Sequence, residues 1–332
     1  MNSFALADCS TVEAALSQLK DGAVVKAGGV DLLDRMKNGT DSPTRLVNIR
    51  NITALRGIRS TDKDLTIGAL TTLAEVADDS TIRAHYAVLS DACGHAATPH
   101  IRNMATIGGN LLQQLQCWYY RSAEFQCLRK GKDICFAFSG LNQYHAIMDY
   151  SGCPSVAPSS AAVALLALDG SVELTSAKGK HTVAIKDFYV QPDANPHRFH
   201  VMAEDELLTA IHIPRPAPGT RSAYQKYGDK ESHDWANADA GIVLEMDGNI
   251  CRRAAVTMGA ASTVVRRSRE AEAVLTGKAI TPETARAAGQ AAMTGAMPLS
   301  MNGYKVQLFP VAIYRTILLA AGQMDRDPSA AG

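Results

Sequence analysis

The sequence carries no net charge, because 33 lysines and arginines face 33 aspartates and glutamates. A balanced chain has no global basic field to draw in nucleic acid or an acidic membrane. No apolar run approaches the roughly 20 residues that span a bilayer, so no membrane span is expected. The opening MNSFALADCSTVEAAL lacks a basic start and a long apolar core, so an export signal on this chain is not expected either. Neither a G-x-G-x-x-G fingerprint nor a Walker A loop occurs, which sets aside the commonest nucleotide motifs. No two cysteines stand as C-x2-C, so the paired spacing of a zinc ribbon is missing. Seven cysteines in a long chain without a signal argue against a disulfide scaffold. Internal repeats and low-complexity segments are also absent.

What is present centres on residues 98–153. Thr106-Ile107-Gly108-Gly109-Asn110 forms a loop whose glycines let a ligand approach bare backbone. Cys117, Cys127, Cys135 and Cys153 follow within 37 residues, spaced C-x9-C-x7-C-x17-C. The segment from Gln116 to Gly152 has no clean period and reads as a long ordered loop, a kind that usually has a task. Four thiols with Arg121, Arg129, Lys130 and Lys132 nearby suit an iron–sulfur site, with zinc as the other metal and free thiols as the plain alternative. Trp118, Tyr119 and Arg121 resemble a single-strand nucleic-acid surface, but charge balance and the cysteines weigh against it. His145 reads as a packing residue of the loop.

A second glycine pair lies upstream. Ala23 to Lys26 reads as a buried strand, and Ala27-Gly28-Gly29-Val30-Asp31-Leu32-Leu33 as a turn into a helix whose N-terminus suits a pyrophosphate. Strands at 45–49 and 65–69 and a helix from Leu73 to about Gly94 complete an α/β pattern. A helix at 161–168 and strands at 170–175, 182–185 and 207–213 follow, and Pro214, Pro216 and Pro218 mark a boundary. Beyond it, strands at 222–227, 238–245 and 251–259, then helices at 266–275, 281–295 and 305–321, describe an α+β domain. Asp31, Asp34, Glu204 and Glu206 read as caps or solvated faces, and no catalytic acid–base pair emerges.

Four words carry a resemblance: AGGVDLL at 27–33, IGALTTLAEV at 67–76, TPHIRNMATIGGNLLQ at 98–113 and AYQKYGDKESHDWA at 223–236. They resemble the FAD-binding subunits of xanthine dehydrogenase-type molybdenum hydroxylases. The cysteine insertion, with its CWYYR and LRKG words, is similar to the subset carrying an extra 4Fe–4S cluster, among them the flavin subunits of periplasmic aldehyde oxidoreductases. The resemblance implies two α/β FAD-binding subdomains of PCMH type, about 1–58 and 59–215, and a C-terminal α+β domain at 216–323 like that of CO dehydrogenase flavoproteins, with a tail at 324–332. It implies that Lys26, Ala27, Gly28, Gly29, Val30, Asp31, Leu32 and Leu33 hold the FAD pyrophosphate, mainly by backbone. Thr98, Thr106, Gly108, Gly109, Asn110, Ser160, Leu208 and Lys226 would complete the FAD site, and Cys117, Cys127, Cys135 and Cys153 would ligate the cluster.

The chain departs from the family pattern at three places. Ala157-Pro158-Ser159-Ser160 stands where His-Pro-Ser-Asp is frequent, Val30 replaces a common threonine, and Gly228-Asp229-Lys230 follows Tyr227 in place of a more basic word. The implied complex has a large molybdopterin subunit and a small subunit with two 2Fe–2S clusters. Electrons would reach this FAD and leave to oxygen, NAD, a quinone or a protein. The expected compartment is cytoplasmic, or periplasmic by export with a partner that bears the signal. Two alternatives stay open: a benzoyl-CoA reductase-type flavoprotein with inward electron flow, and a zinc-binding scaffold.

Overall fold

The computed structural model describes residues 1–325 except 21 and 231; the expected tail from 326 onward lies outside the described residues. The chain begins with a small parallel sheet. Strand β1 (Ala5–Asp8) leads to α1 (Val12–Gln18), β2 (Ala23–Lys26) to α2 (Val30–Lys37), and β3 (Arg45–Asn48) closes the sheet in the order β1-β3-β2. Thr11 caps α1 by accepting from the Ala14 N–H at 3.1 Å, as short polar side chains do at helix starts. The α1 side of this sheet is packed with Cys9, Ala15, Val47, Ile49 and Ile52, while Leu32, Met36 and Leu46 form a second small core under α2.

The second unit is a five-stranded antiparallel sheet. Strands β4 (Ile58–Ser60) and β5 (Asp64–Gly68) are followed by a run of short helices: α3 (Leu73–Asp78), α4 (Ser80–His85), α5 (Ala87–Gly94), α6 (Pro99–Arg102) and α7 (Ile107–Leu111). The single helix expected over 73–94 is three. Asp79 ends α3 and accepts from the Ile82 N–H at 2.9 Å to start α4, and Tyr86 then breaks into α5. Thr72 and Glu75 form a reciprocal capping box on α3. The cysteine segment is loop, with one helical turn, α8 (Trp118–Arg121), and two shorter ones.

Next come α9 (Ser160–Ala167), β6 (Ser171–Ser176), β7 (Gly179–Ala184), α10 (Ile185–Phe188) and β8 (Leu207–Pro214), giving the sheet order β4-β5-β8-β6-β7. Every residue from Ala161 to Ala167 is buried. A helix that is apolar all round belongs between layers, and α9 lies there, packed on α5, α7 and the C-terminal sheet. Thr257 Oγ1 donates to the Val163 carbonyl at 2.9 Å across that junction. Each fully buried Leu or Val on α9 contributes about 1.5–3 kcal/mol.

The last unit is the antiparallel sheet β9 (Thr220–Tyr227), β10 (Ala238–Asp247), β11 (Ile250–Met258) and β12 (Arg266–Arg267), covered by α11 (Arg269–Leu275), α12 (Pro282–Ala291) and α13 (Lys305–Ala320). Arg266 and Arg267 are strand, not the helix start that was expected. They pair with Met258 and Thr257, and Ser268 accepts from the Ala271 N–H at 3.3 Å to begin the helix. The overall architecture is the expected mixed one: two units of helices and sheet followed by an α+β domain.

Candidate functional site

One cavity of about 1050 Å³ is walled by all three units. That is the upper end of the range for small-molecule sites, about 300–1,000 Å³. Its first wall is the β2–α2 turn. Gly29 caps α2 with φ at +81° and no side-chain hydrogen bond. Left-handed backbone of this kind is natural for glycine. The N–H groups of Gly28, Gly29, Val30, Asp31 and Leu32 have no acceptor among the described residues. Five free donors and the positive end of the helix dipole make an anion seat. Gly28 sits hard against the α6–α7 connection, where a Cβ would lie 2.1 Å from the Met104 carbonyl oxygen.

The second glycine loop works differently. The Gly108 N–H donates to the Ala69 carbonyl at 3.0 Å, and the Gly109 N–H to Thr106 Oγ1 at 3.1 Å. These two amides are spent on the protein, so at Gly108 and Gly109 the loop offers bare backbone as a wall and no free glycine N–H. Asn110 turns its Oδ1 away to Ser159 Oγ at 2.7 Å and to the Ala161 N–H at 3.3 Å, tying the loop to the start of α9.

The third wall is the face of β9 and β10. Lys226 Nζ donates to the His95 carbonyl at 2.7 Å and the Asp234 carbonyl at 3.1 Å, bridging two units. Tyr224 Oη donates to Asp239 Oδ2 at 2.9 Å, and the Ala260 N–H to Asp239 Oδ1 at 2.8 Å. Burial raises the Asp239 carboxyl above its ordinary value and lowers the Lys226 ammonium below its own, with Asp239 opposing the latter. Desolvation disfavours the charged form of each. Exposed Trp235 stands at the cavity edge.

Beside the cavity, the fold gathers the insertion's four cysteines. The Cys117 thiol, pushed up to about 12 chiefly by burial, feels Cys153 and Cys127. Contact between Cys135 and Cys153 raises the Cys135 thiol and lowers that of Cys153, the latter against the upward push of burial. Ser155 Oγ lies 3.2 Å from Cys153 Sγ. His145 Nε2 lies 3.3 Å from Cys117 Sγ, and its Nδ1 is buried with no partner. The buried Arg129 guanidinium reaches Cys153, packs 4.6 Å over the Phe199 ring, and donates to the Pro196 carbonyl at 3.0 Å. Among the described residues no three His, Cys, Asp or Glu side chains are close enough to hold a single metal ion.

Residues 2–216 match the FAD binding domain in molybdopterin dehydrogenase, and residues 222–320 the CO dehydrogenase flavoprotein C-terminal domain. The chain belongs to the FAD-binding medium subunits of the xanthine dehydrogenase and CO dehydrogenase family. This medium subunit is 36% identical over 242 residues, 71% of its length and 76% of the relative's, to the aldehyde oxidoreductase FAD-binding subunit PaoB of Escherichia coli. It is 28% identical over 327 residues to the 6-hydroxypseudooxynicotine dehydrogenase complex subunit alpha of Paenarthrobacter nicotinovorans, covering 96% and 94% of the two chains. Reconstituted CO dehydrogenase from Oligotropha carboxidovorans shares its fold at a TM-score of 0.76 and 26% identity, with 97% and 99% of the chains covered.

In the medium subunit, Ala27 through Leu32 line the cavity, as do Thr106, Gly108, Gly109, Asn110, Ser160, Leu208 and Lys226. Lys26, Leu33 and Thr98 lie off its wall. Lys26 Nζ reaches Asn48 Oδ1 at 3.4 Å, Leu33 packs beneath Gly29, and Thr98 caps α6 through the Ile101 N–H at 3.3 Å. Wall residues that sequence reasoning missed include Arg121, Gln114, Tyr224, Asp239 and Trp235. Only the CWYYR and AYQKY words gave a hint, and neither says which way its side chains turn. Asp31 is also neither a cap nor a solvated face, since its carboxylate is gripped by Arg35 and Arg121.

Proposed function

We propose that this chain is the electron-transfer subunit of a three-subunit molybdenum hydroxylase. It receives electrons from the 2Fe–2S clusters of a small subunit after an aldehyde or heterocycle is oxidised at the molybdopterin of a large one. It hands them to an external acceptor. The observation that carries the reading is the cavity itself: three units around one dinucleotide-sized space, with five unpaired amides at one end. Bound FAD supplies two-electron uptake and release. The five α2 amides would take the pyrophosphate, the Gly108–Gly109 wall would let the ligand press on bare backbone, and Lys226 would face it from β9. Lys226 also holds the His95 and Asp234 segments together, which shields that side of the cavity from water.

The reading extends to a 4Fe–4S cluster on Cys117, Cys127, Cys135 and Cys153. Its support is that four loop cysteines meet, beside a buried guanidinium that offsets thiolate charge. Among the described residues no three of these side chains converge as a single zinc ion requires, with four ligands about 2.0–2.3 Å from a common centre. In a cube each thiolate binds its own iron at a separate corner.

The test is anaerobic purification followed by a visible spectrum and metal analysis. One FAD and about four iron and four sulfide per chain support the reading. A colourless protein that takes up neither group on reconstitution overturns it. Fast reduction of the chain by a low-potential ferredoxin, with no reduction through a molybdenum partner, would place it with inward-flowing reductases.

A further inference from the structure

Asp31 is the second residue of α2 and lines the cavity beside the residues whose amides are free. An acid there suits the dipole of an empty helix. It opposes a pyrophosphate, which brings like charge to the same place. The structure covers this carboxylate with two guanidiniums. Arg35 binds it from one helical turn on, but Arg35 is also shared with Asp41 at 2.8 Å. The other cover is Arg121, 90 residues away in sequence, whose Nη2 lies 2.5 Å from Asp31 Oδ1.

Arg121 is built into place. Its Nε donates to the Leu115 carbonyl at 2.6 Å, its Nη2 to the Gln114 carbonyl at 2.9 Å, and its Nη1 reaches Asp34 Oδ2 at 3.3 Å. The Gln114 N–H in turn donates to Asp31 Oδ2 at 3.2 Å. The Arg121 side chain is only 11% exposed, yet it remains on the cavity wall. The Arg121 N–H donates to the carbonyl of Cys117 at 2.9 Å, so Arg121 stands one turn from a cysteine of the cluster site.

We propose that Arg121, carried by the cysteine insertion, is the counterion that lets the α2 N-terminus accept the FAD pyrophosphate, coupling the insertion to flavin retention through one ion pair with Asp31. The inference rests on the flavin reading above. Arg121 is a positioning residue: it neutralises Asp31 and holds it off the anion, and it takes no part in electron transfer. Without it, Asp31 and Asp41 share the one remaining guanidinium, that of Arg35, and Asp34 loses its contact with Arg121.

The experiment titrates the flavin-stripped full-length chain with FAD, read by flavin fluorescence, at low and high salt. Arg121→Gln is expected to raise the dissociation constant about tenfold at low salt, and added salt should recover part of the loss by screening the repulsion. Arg121→Lys should lie between the two. The double variant Asp31→Asn with Arg121→Gln should return to within about threefold of wild type, because removing the acid removes the need for its counterion. A double variant as weak as Arg121→Gln alone, or a loss that salt deepens, overturns the proposal by making Arg121 a matter of shape. Should Arg121→Gln not fold, Asp31→Asn alone decides: tighter FAD binding supports the proposal, and weaker binding overturns it. A wild-type chain that takes up no FAD overturns the flavin reading and this inference together. Wild-type uptake with an unchanged Arg121→Gln constant overturns this inference alone.

Discussion

Gly28 and the carbonyl of Met104 hold the β2–α2 turn against the α6–α7 connection, at a separation where a Cβ would stand 2.1 Å from the oxygen. Both partners are backbone, so neither can rotate away. Gly28→Ala must therefore push the two cavity walls apart. The expected cost is about 1–3 kcal/mol of stability, and FAD should bind roughly tenfold more weakly, equivalent to about 1.4 kcal/mol. Thermal unfolding and the flavin-to-protein ratio after gel filtration check it; a normal ratio would mean that the wall spacing is irrelevant.

Asn302 locks the C-terminal domain to the insertion. Its side chain is fully buried; Nδ2 donates to the His145 carbonyl at 3.0 Å and the Ala146 carbonyl at 3.1 Å, while Oδ1 accepts from the Leu299 N–H at 2.6 Å. Asn302→Ala leaves these groups buried and unpaired, at about 1–3 kcal/mol for each unsatisfied group. A total loss of about 2–4 kcal/mol is expected from urea unfolding. Iron content should fall with it, since the anchor of the cysteine loop is lost.

Lys305 makes stability depend on pH. It is fully buried, and its Nζ donates to the Ala260 carbonyl at 2.9 Å and the Tyr144 carbonyl at 3.1 Å. Burial lowers its ammonium from the ordinary 10.5 to about 7, against the pull of Asp239. Between those values the unfolded chain binds the proton and the folded chain does not, so this contribution grows as pH rises from about 7 and is lost as pH falls back toward it. The slope is about 1.4 kcal/mol per unit at most. The urea midpoint of wild type should gain on that of Lys305→Met between roughly pH 7 and 9. Parallel midpoints would show that Lys305 stays charged in the fold.

Cys127→Ser tests the proposed cluster apart from the flavin. Cys127 packs with Cys117 and is not among the residues that line the cavity. The cluster's share of the absorbance around 400 nm, where such clusters absorb broadly, should be lost and a plain flavin spectrum left, while FAD content and its reduction by substrate through the partner subunits persist. Loss of FAD reduction with flavin still bound would make the cluster an obligatory relay.

Much of the fold was legible because its signals are local. Short hydroxyl residues just ahead of the apolar runs mark three helix starts: of Ser10 or Thr11, Thr71 or Thr72, and Ser159 or Ser160, the caps are Thr11, Thr72 and Ser159. The strands expected at 238–245 and 251–259 are β10 and β11, joined by a tight turn at Gly248-Asn249. The misses have local causes too. Asp79 and Tyr86 interrupt what reads as one helix over 73–94, and Arg266-Arg267 follows its β11 partner into a strand although its composition favours helix. Strand β1 escaped notice because most of its side chains are exposed and carry no alternation, so only its pairing with β3 defines it.

The sequence by itself determined where backbone would be bare and where helices would begin, since glycine freedom and capping depend on a residue and its near neighbours. It also placed four thiols on one insertion. Tertiary structure alone decided which glycine amides stay free: those at Gly28 and Gly29 do, while those at Gly108 and Gly109 are consumed by Ala69 and Thr106. It alone set Arg121 on Asp31, made Lys226 a bridge and buried Lys305. Hydrogen bonds and ion pairs between distant segments follow from how the layers pack, and no local pattern in the chain encodes them.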